Sequence, residues 1–355
     1  MPMTLRERLM TTLRGGQTDR IPWNTYAWIL PETEAGRRLH AKGLSLMGSK
    51  RIFRDVYGAG ISISEKRFEV DGAPLFVRRI ETPKGVLTEE STIDPSYGSR
   101  WIRKYFITGP DDYPAAEYFF RHTSFEPEFE EWRREEARIG DGGICIGEIM
   151  PIPILYIMVS WMGAEGLAEG LYLYRDGFDA LIEALDRQYD RHIEIADESP
   201  AEVIWFPDNV TATIISPAHF ERYCAPVYAR AMPIMRQSGK IPIAHYDGSI
   251  KPIMANLART DLPVIEAVTP KPMGDVTVGE LKAAWPEKVV WVNFPGSYFL
   301  EPAEVIEEYT LAMLEEGAPG GRLVIGCTED YPYSEFYKTF SAIGRAMAKY
   351  EGYEW

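Results

Sequence analysis

Short apolar, β-branched runs alternate with longer amphipathic segments through the second half of the chain. The runs are 143–149 (GICIGEI), 203–209 (VIWFPDN), 241–248 (IPIAHYDG), 264–268 (VIEAV), 289–296 (VVWVNFPG) and 323–330 (LVIGCTED). Near the N-terminus, 21–28 (IPWNTYAW) has the same character. Runs this continuous suit parallel strands buried on both faces. Between them, Phe178, Leu181, Ile182, Leu185, Tyr189 and Ile193 recur near helical spacing, which predicts a helix over 178–198. Ser216-Pro217 supplies an N-cap and a proline at the first helical position. Further helices are predicted over 301–316, stopped by Gly317 and Pro319, and over 334–351.

Strand–helix alternation implies a parallel sheet with crossover helices. Seven strands are visible, one short of a closed (β/α)8 TIM barrel, and the eighth is expected within 50–125. Alternation over 60–95, with turns at Asp71-Gly72 and Pro83-Lys84-Gly85, predicts an antiparallel β-ribbon instead of barrel staves. The expectation is therefore one α/β TIM-barrel domain over 1–355. It has an N-terminal helical segment and an insertion, ribbon and then irregular, over 60–125. An open doubly wound sheet is the rival. No glycine-rich phosphate loop follows a strand, which counts against a nucleotide-binding version.

Charge narrows the partners. Lys plus Arg total 38 against 53 Asp plus Glu, a net charge of −15. Such a surface repels phosphate backbones and anionic lipid, so nucleic acid and membrane surfaces are not expected. The three cysteines, Cys145, Cys224 and Cys327, make no disulfide framework. The first residues form an amphipathic pattern without a signal-peptide core, and a reducing cytoplasm is the expected location.

In a TIM barrel the chemistry gathers at the C-terminal ends of the strands. Polar residues fall there in six runs: Glu148; Asp208 and Asn209; His245 and Asp247; Glu266; Asn293; and Cys327 with Glu329 and Asp330. Each has a plainer use, since a strand-end Asp caps helices and a lone Cys packs as a small apolar group. Their convergence on one mouth is what carries a functional reading. His245-x-Asp247 with Cys327, and Glu148 nearby, combine nitrogen, oxygen and sulfur donors that suit zinc. The alternative is a cap and a buried thiol. Asp208, Glu266 and Glu329 are the candidate proton donors. Trp23, Tyr26, Trp28, Tyr156 and Tyr331, with Asn209 and Asn293, are the candidate lining of a pocket for a flat apolar ligand.

The same residues carry a family likeness. RERLMTTLRGGQTDRIPW at the N-terminus, IETPKGVLTEES, IISPAHFERYCAPVYARAM, AHYDGSI, EAVTPKPMGDVTVGELKAAW and VIGCTEDYP, in that order, resemble the uroporphyrinogen decarboxylase superfamily. The resemblance implies a TIM barrel with its site at the C-terminal mouth. It also implies one of two chemistries: cofactor-free decarboxylation of a polyanionic tetrapyrrole, or methyl transfer to or from the cobalt of a corrinoid protein, with zinc held by a His-x-Cys pair and a later Cys. The decarboxylases' Met-Arg-Gln-Ala-Gly-Arg segment is missing; NTYAWILPETEAGRR stands there instead. The methyltransferase pattern is matched at His245 and Cys327, with Asp247 in place of the middle Cys.

The expectation is thus a corrinoid-dependent methyltransferase. It would use a small methylated compound, a methoxy-aromatic among them, with zinc, and with cobalamin supplied by a partner corrinoid protein, since the chain has no Asp-x-His-x-x-Gly motif. Decarboxylase relatives form dimers, and a homodimer is carried over as an expectation. The alternatives are a lyase acting on a carboxylated substrate, with Arg54, Lys66 and Arg67 as its cationic holds, and a non-catalytic binder of a tetrapyrrole or corrinoid protein.

Overall fold

The structure is a computed structural model and describes residues 2–70, 72–94 and 99–355. Within these the chain forms two compact units. One comprises Met1–Ile52, Phe129–Ile149 and Ser199–Trp355, and the other Phe53–Glu128 and Met150–Glu198.

The first unit is a closed barrel of parallel strands: β1 (Trp23–Tyr26), β2 (Leu44–Arg51), β3 (Gly143–Glu148), β4 (Val203–Val210), β5 (Ile241–Tyr246), β6 (Val264–Val268), β7 (Val289–Asn293) and β8 (Leu323–Cys327). Each strand pairs with its neighbours in chain order, and β8 closes on β1. The seven predicted strands are all present. The eighth is not within 50–125 as expected but directly before it, at β2. Its run LSLMGSKR is broken by Ser45, Gly48, Lys50 and Arg51, so no continuous apolar signal marks it. Ser45 belongs there because its hydroxyl donates to the Trp23 carbonyl on β1 at 2.7 Å.

Side-chain alternation decides what each strand sends inside. Tyr26, Met47, Ile144, Ile146, Val203, Ile241, Ile243, Val264, Val289, Trp291 and Val324 form the interior cluster. Leu9, Met10 and Leu13 of the helix Leu5–Leu13 join it. That helix starts on a capping box. The Thr4 hydroxyl accepts from the Glu7 N–H at 3.1 Å, and the Glu7 carboxylate accepts from the Thr4 N–H at 2.8 Å. Its contacts lie with residues at the N-terminal ends of the strands, so it covers the barrel floor.

One interior glycine is fixed by contact. Trp291 donates its indole N–H to the Asn24 side-chain oxygen Oδ1 at 2.7 Å, joining β7 to β1 across buried β8. A Cβ on Gly326 would lie 2.8 Å from the Val292 carbonyl oxygen and 2.9 Å from the indole nitrogen.

The second unit holds a four-stranded antiparallel sheet, Ser62–Val70, Ala73–Thr82, Gly85–Ile93 and Arg100–Lys104, and an antiparallel pair, Phe53–Tyr57 with Thr123–Pro127. The expected ribbon is therefore larger than 60–95. The turn at Pro83-Lys84-Gly85 is present, with Thr82 paired to Gly85; Asp71 of the other expected turn lies outside the described residues. The predicted 178–198 helix runs over Arg175–Glu198 and belongs to this unit, together with Tyr113–Arg121. No described helix is long and apolar enough to cross a membrane.

Replacing Gly326 by Ala should cost about 1–3 kcal/mol, as overpacking against backbone does. The check is a fall in the urea midpoint with unchanged m-value; an unshifted midpoint would remove the Trp291–Asn24 bridge as the constraint at that position.

Candidate active site

Glu266, inside β6, is completely buried. A carboxylate there needs donors, because an unpaired buried charge costs several kcal/mol. Three arrive from three strands. Tyr26 of β1 donates its hydroxyl to Oε1 at 2.8 Å. Trp205 of β4 donates its indole N–H to Oε2 at 3.2 Å. His245 of β5 meets Oε2 through Nδ1 at 2.8 Å. His245 and Glu266 are direct register partners on neighbouring strands.

This arrangement assigns the histidine's atoms. With Nδ1–H given to the carboxylate, Nε2 is the nitrogen left for chemistry. Burial pushes the imidazole pKa down, but the Glu266 charge and hydrogen bond, with Asp247 and Asp208 farther away, outweigh it and raise it above the usual histidine range. The same surroundings, burial first and then the Glu266 charge, push the Tyr26 hydroxyl far up, so it remains a donor.

The strands beside β5 are both distorted where they bring their acids. β4 shifts register between Phe206 and Val210, and β6 between Ile265 and Val268. Each shift contains a non-glycine residue in the left-handed region directly after an acid: Asn209 (φ 51°) after Asp208 and Ala267 (φ 63°) after Glu266. Such residues cost about 1–2 kcal/mol each, and bulges concentrate where a side chain must be re-aimed.

Around the acid lie aromatic faces and further carboxylates. Trp28, half exposed, stacks on Tyr26 at 4.4 Å, and Trp205 meets Tyr26 edge-on at 6.3 Å. Glu329 accepts from the Asn293 amide at 2.8 Å. Burial, and then the Asp247 charge, raises the Glu329 carboxyl pKa, while His245 opposes the rise. Asn293 also donates to Thr269 and accepts from the Thr328 N–H, so it braces the ends of β6, β7 and β8. Asp247 accepts from the Gly248 N–H at 2.6 Å and the Thr269 hydroxyl at 3.3 Å.

The remaining predicted site residues fall elsewhere. Asp208 points outward, where Tyr228 donates to it at 2.6 Å and in turn meets Tyr246 at 2.9 Å. Asn209 is exposed on the bulge. Glu148 accepts from Ser49 at 2.9 Å; burial raises its pKa, against Arg51 and Lys50. Trp23 packs against Phe340 and Trp355, and Tyr331 stacks on Phe299 at 4.8 Å while donating to the Ile29 carbonyl. Both are scaffold, not pocket lining. Tyr156, Arg54, Lys66 and Arg67 belong to the second unit, where Arg54 pairs with Glu126.

The expected zinc ligands His245, Asp247, Cys327 and Glu148 do not assemble. Among the described residues no three His, Cys, Asp or Glu side chains converge closely enough to hold one ion. The reason is strand alternation. Val324 and Gly326 face the barrel interior, so Cys327 faces outward. Burial pushes its thiol far up, and the ionisable group that feels it is Tyr331. These residues do not fit zinc. Trp205 is the site residue the sequence reading passed over. Its signal was available, since it is two residues from interior Val203 and carries a polar N–H into an otherwise apolar run.

A family model for uroporphyrinogen decarboxylase (URO-D) matches residues 134–329, more than half of the chain. Among solved structures, a methyltransferase from Methanosarcina mazei is similar over 98% of this chain and 99% of its own, with 12% identity and a TM-score of 0.59. A B12-independent methionine synthase from Shewanella is similar over 82% of this chain and 76% of its own, with 11% identity and a TM-score of 0.43. No curated protein sequence matches. At this identity the likeness to the Methanosarcina methyltransferase speaks for the fold. The matched segment runs from just before β3 through β8 and takes in Trp205, His245, Glu266 and Glu329; the chain belongs to the uroporphyrinogen decarboxylase family.

Proposed function

We propose that this chain is a methyltransferase that moves the methyl group of a small methoxy-aromatic compound to the cobalt of a partner corrinoid protein. The observation that carries the reading is His245, held by Glu266 with its pKa raised, beside the Tyr26–Trp28 stack whose Trp28 ring is half exposed. An ether releases its methyl group only if the departing oxygen is stabilised. The C–O electron pair stays on oxygen, and the His245 Nε2 proton neutralises it. The acceptor supplies the nucleophilic electron pair that forms the new bond to the methyl carbon. Glu266 holds the imidazole ring in one orientation, while the hydrogen bonds from Tyr26 and Trp205 hold the Glu266 side chain in place. The Tyr26–Trp28 stack offers a flat face to an aromatic ring. Glu329 is the second acid of the group. No step is routed through zinc, because Cys327 faces away from His245 and Asp247.

The decarboxylase reading asks for cations where this group offers acids. A polycarboxylate at His245 would meet Asp247, Glu266 and Glu329, whose charges the histidine feels.

The direct test is incubation with Co(I) cobalamin and a panel of methoxylated aromatics, followed by the loss of the Co(I) absorbance and release of the phenol. His245→Gln should slow wild-type turnover about 10²–10⁴-fold, the usual contribution of a placed general acid. A wild type that releases no phenol but decarboxylates a carboxylated tetrapyrrole would replace this reading with the lyase.

The pH profile carries a sign. Because the protonated imidazole is the active form, kcat should hold at low pH and fall as pH rises through a value above the usual histidine pKa of about 6.5. Glu266→Gln removes the charge that raises this value, so the falling limb should move to lower pH by about one unit or more. An unmoved limb would show that another group supplies the proton.

Cys327→Ala separates proton from metal chemistry. It should leave both turnover and metal content, read by plasma emission, at wild-type levels. Loss of about one zinc per chain would restore Cys327 to a metal site.

A further inference from the structure

The second unit contains a cavity of about 340 Å³ whose walls all come from that unit. Its volume lies in the range of small-molecule pockets. One side is aromatic. Trp161, itself buried, is surrounded by Phe106 at 4.9 Å, Phe119 at 5.1 Å and Phe120 at 4.5 Å, measured between ring centroids. All four rings line the cavity.

The opposite side is one face of the antiparallel sheet. Arg78 sits there in register between Glu65 and Glu89 on the flanking strands. Both carboxylates are taken by Arg100 instead, at 3.0 Å and 3.3 Å, and Arg100 also donates to Ser91 at 2.8 Å. Burial raises the Glu89 carboxyl toward its neutral form, against Arg100 and Arg78. Asp55, also on the wall, accepts from the Tyr57 hydroxyl at 3.4 Å. Arg78 is thus a half-buried guanidinium on the cavity wall that forms no hydrogen bond or ion pair with any described residue; it lies over the Phe106 ring at 5.9 Å, and its charge is felt by Glu89 and Tyr57. A guanidinium has five N–H donors in a planar fork that matches a carboxylate.

We propose that this cavity is a binding site for a small planar aromatic carboxylate, its rings against Trp161 and Phe119 and its carboxylate on Arg78. The site is separate from the His245–Glu266 group in residues and in chemistry, and it does not rest on the methyltransferase reading. The pairing is specific in charge. A neutral aromatic keeps the ring contacts but leaves the fork unmatched, and an aromatic cation opposes Arg78.

The test is isothermal titration of the whole protein with 2-naphthoate, 2-naphthamide and 2-naphthylmethylammonium. Wild type should bind naphthoate with a Kd on the order of 10–100 µM and the ammonium compound at least about tenfold more weakly. Arg78→Gln, checked for an unchanged melting temperature, should weaken naphthoate about tenfold or more and the amide by less than about threefold. His245→Ala should leave naphthoate binding as it is. The proposal is overturned by no naphthoate binding at about 1 mM, by equal affinity in Arg78→Gln, by preference for the ammonium compound, or by loss of binding in His245→Ala.

Discussion

The buried charge of Glu266 is the constraint around which the barrel mouth is arranged. A carboxylate with no exposure is tolerable only when its lone pairs are met, and here the donors come from β1, β4 and β5 to an acid on β6. Tyr26 and Trp205 lie on strands that do not neighbour β6, so their bonds cross the barrel. Removing one member leaves a buried group unpaired, at a cost of about 3–5 kcal/mol when a charge is involved. The network therefore closes the barrel and fixes the imidazole at once.

The two bulges follow from that demand. A regular β4 and β6 would continue strict alternation past Trp205 and Glu266. Instead the backbone enters the left-handed region at Asn209 and Ala267, where neither residue is glycine. Strain of that kind persists only where the surroundings over-determine the conformation. Here the surroundings are identifiable: Tyr228 holds Asp208 on one strand, and three donors hold Glu266 on the other.

What the sequence made legible tracks the range of the physics involved. Burial on both faces writes itself into a continuous apolar run, so β3 to β8 were readable, and β2 was not because Gly48 and the closing Ser49-Lys50-Arg51 interrupt it. Glu266 was visible as a lone charge in VIEAV. Its partners were not, because Tyr26 lies 240 residues away and a bond of that span leaves no local pattern. The metal set failed for a local reason. His245 is two residues from interior Ile243, whereas Cys327 is one residue from interior Gly326, so their side chains leave opposite faces of the barrel wall. Counting strand ends brought the residues to one rim; counting parity along each strand would have separated them.

The carboxylate–histidine pair also bears on how this chain departs from the zinc pattern it resembles. A histidine that gives Nδ1–H to a carboxylate is oriented equally well to ligate a metal or to hold a proton through Nε2. The deciding feature is what else reaches that nitrogen. In the zinc pattern two thiolates do. Here Asp247 replaces one and is engaged by Gly248 and Thr269, and Cys327 replaces none because it faces the helices. What remains near His245 is negative charge without sulfur: Asp247, Glu266 and Glu329. Negative charge without a competing cation favours the protonated imidazole. The substitution of Asp for Cys and the outward turn of the last thiol thus leave this histidine among carboxylates, without the two sulfur partners of that pattern.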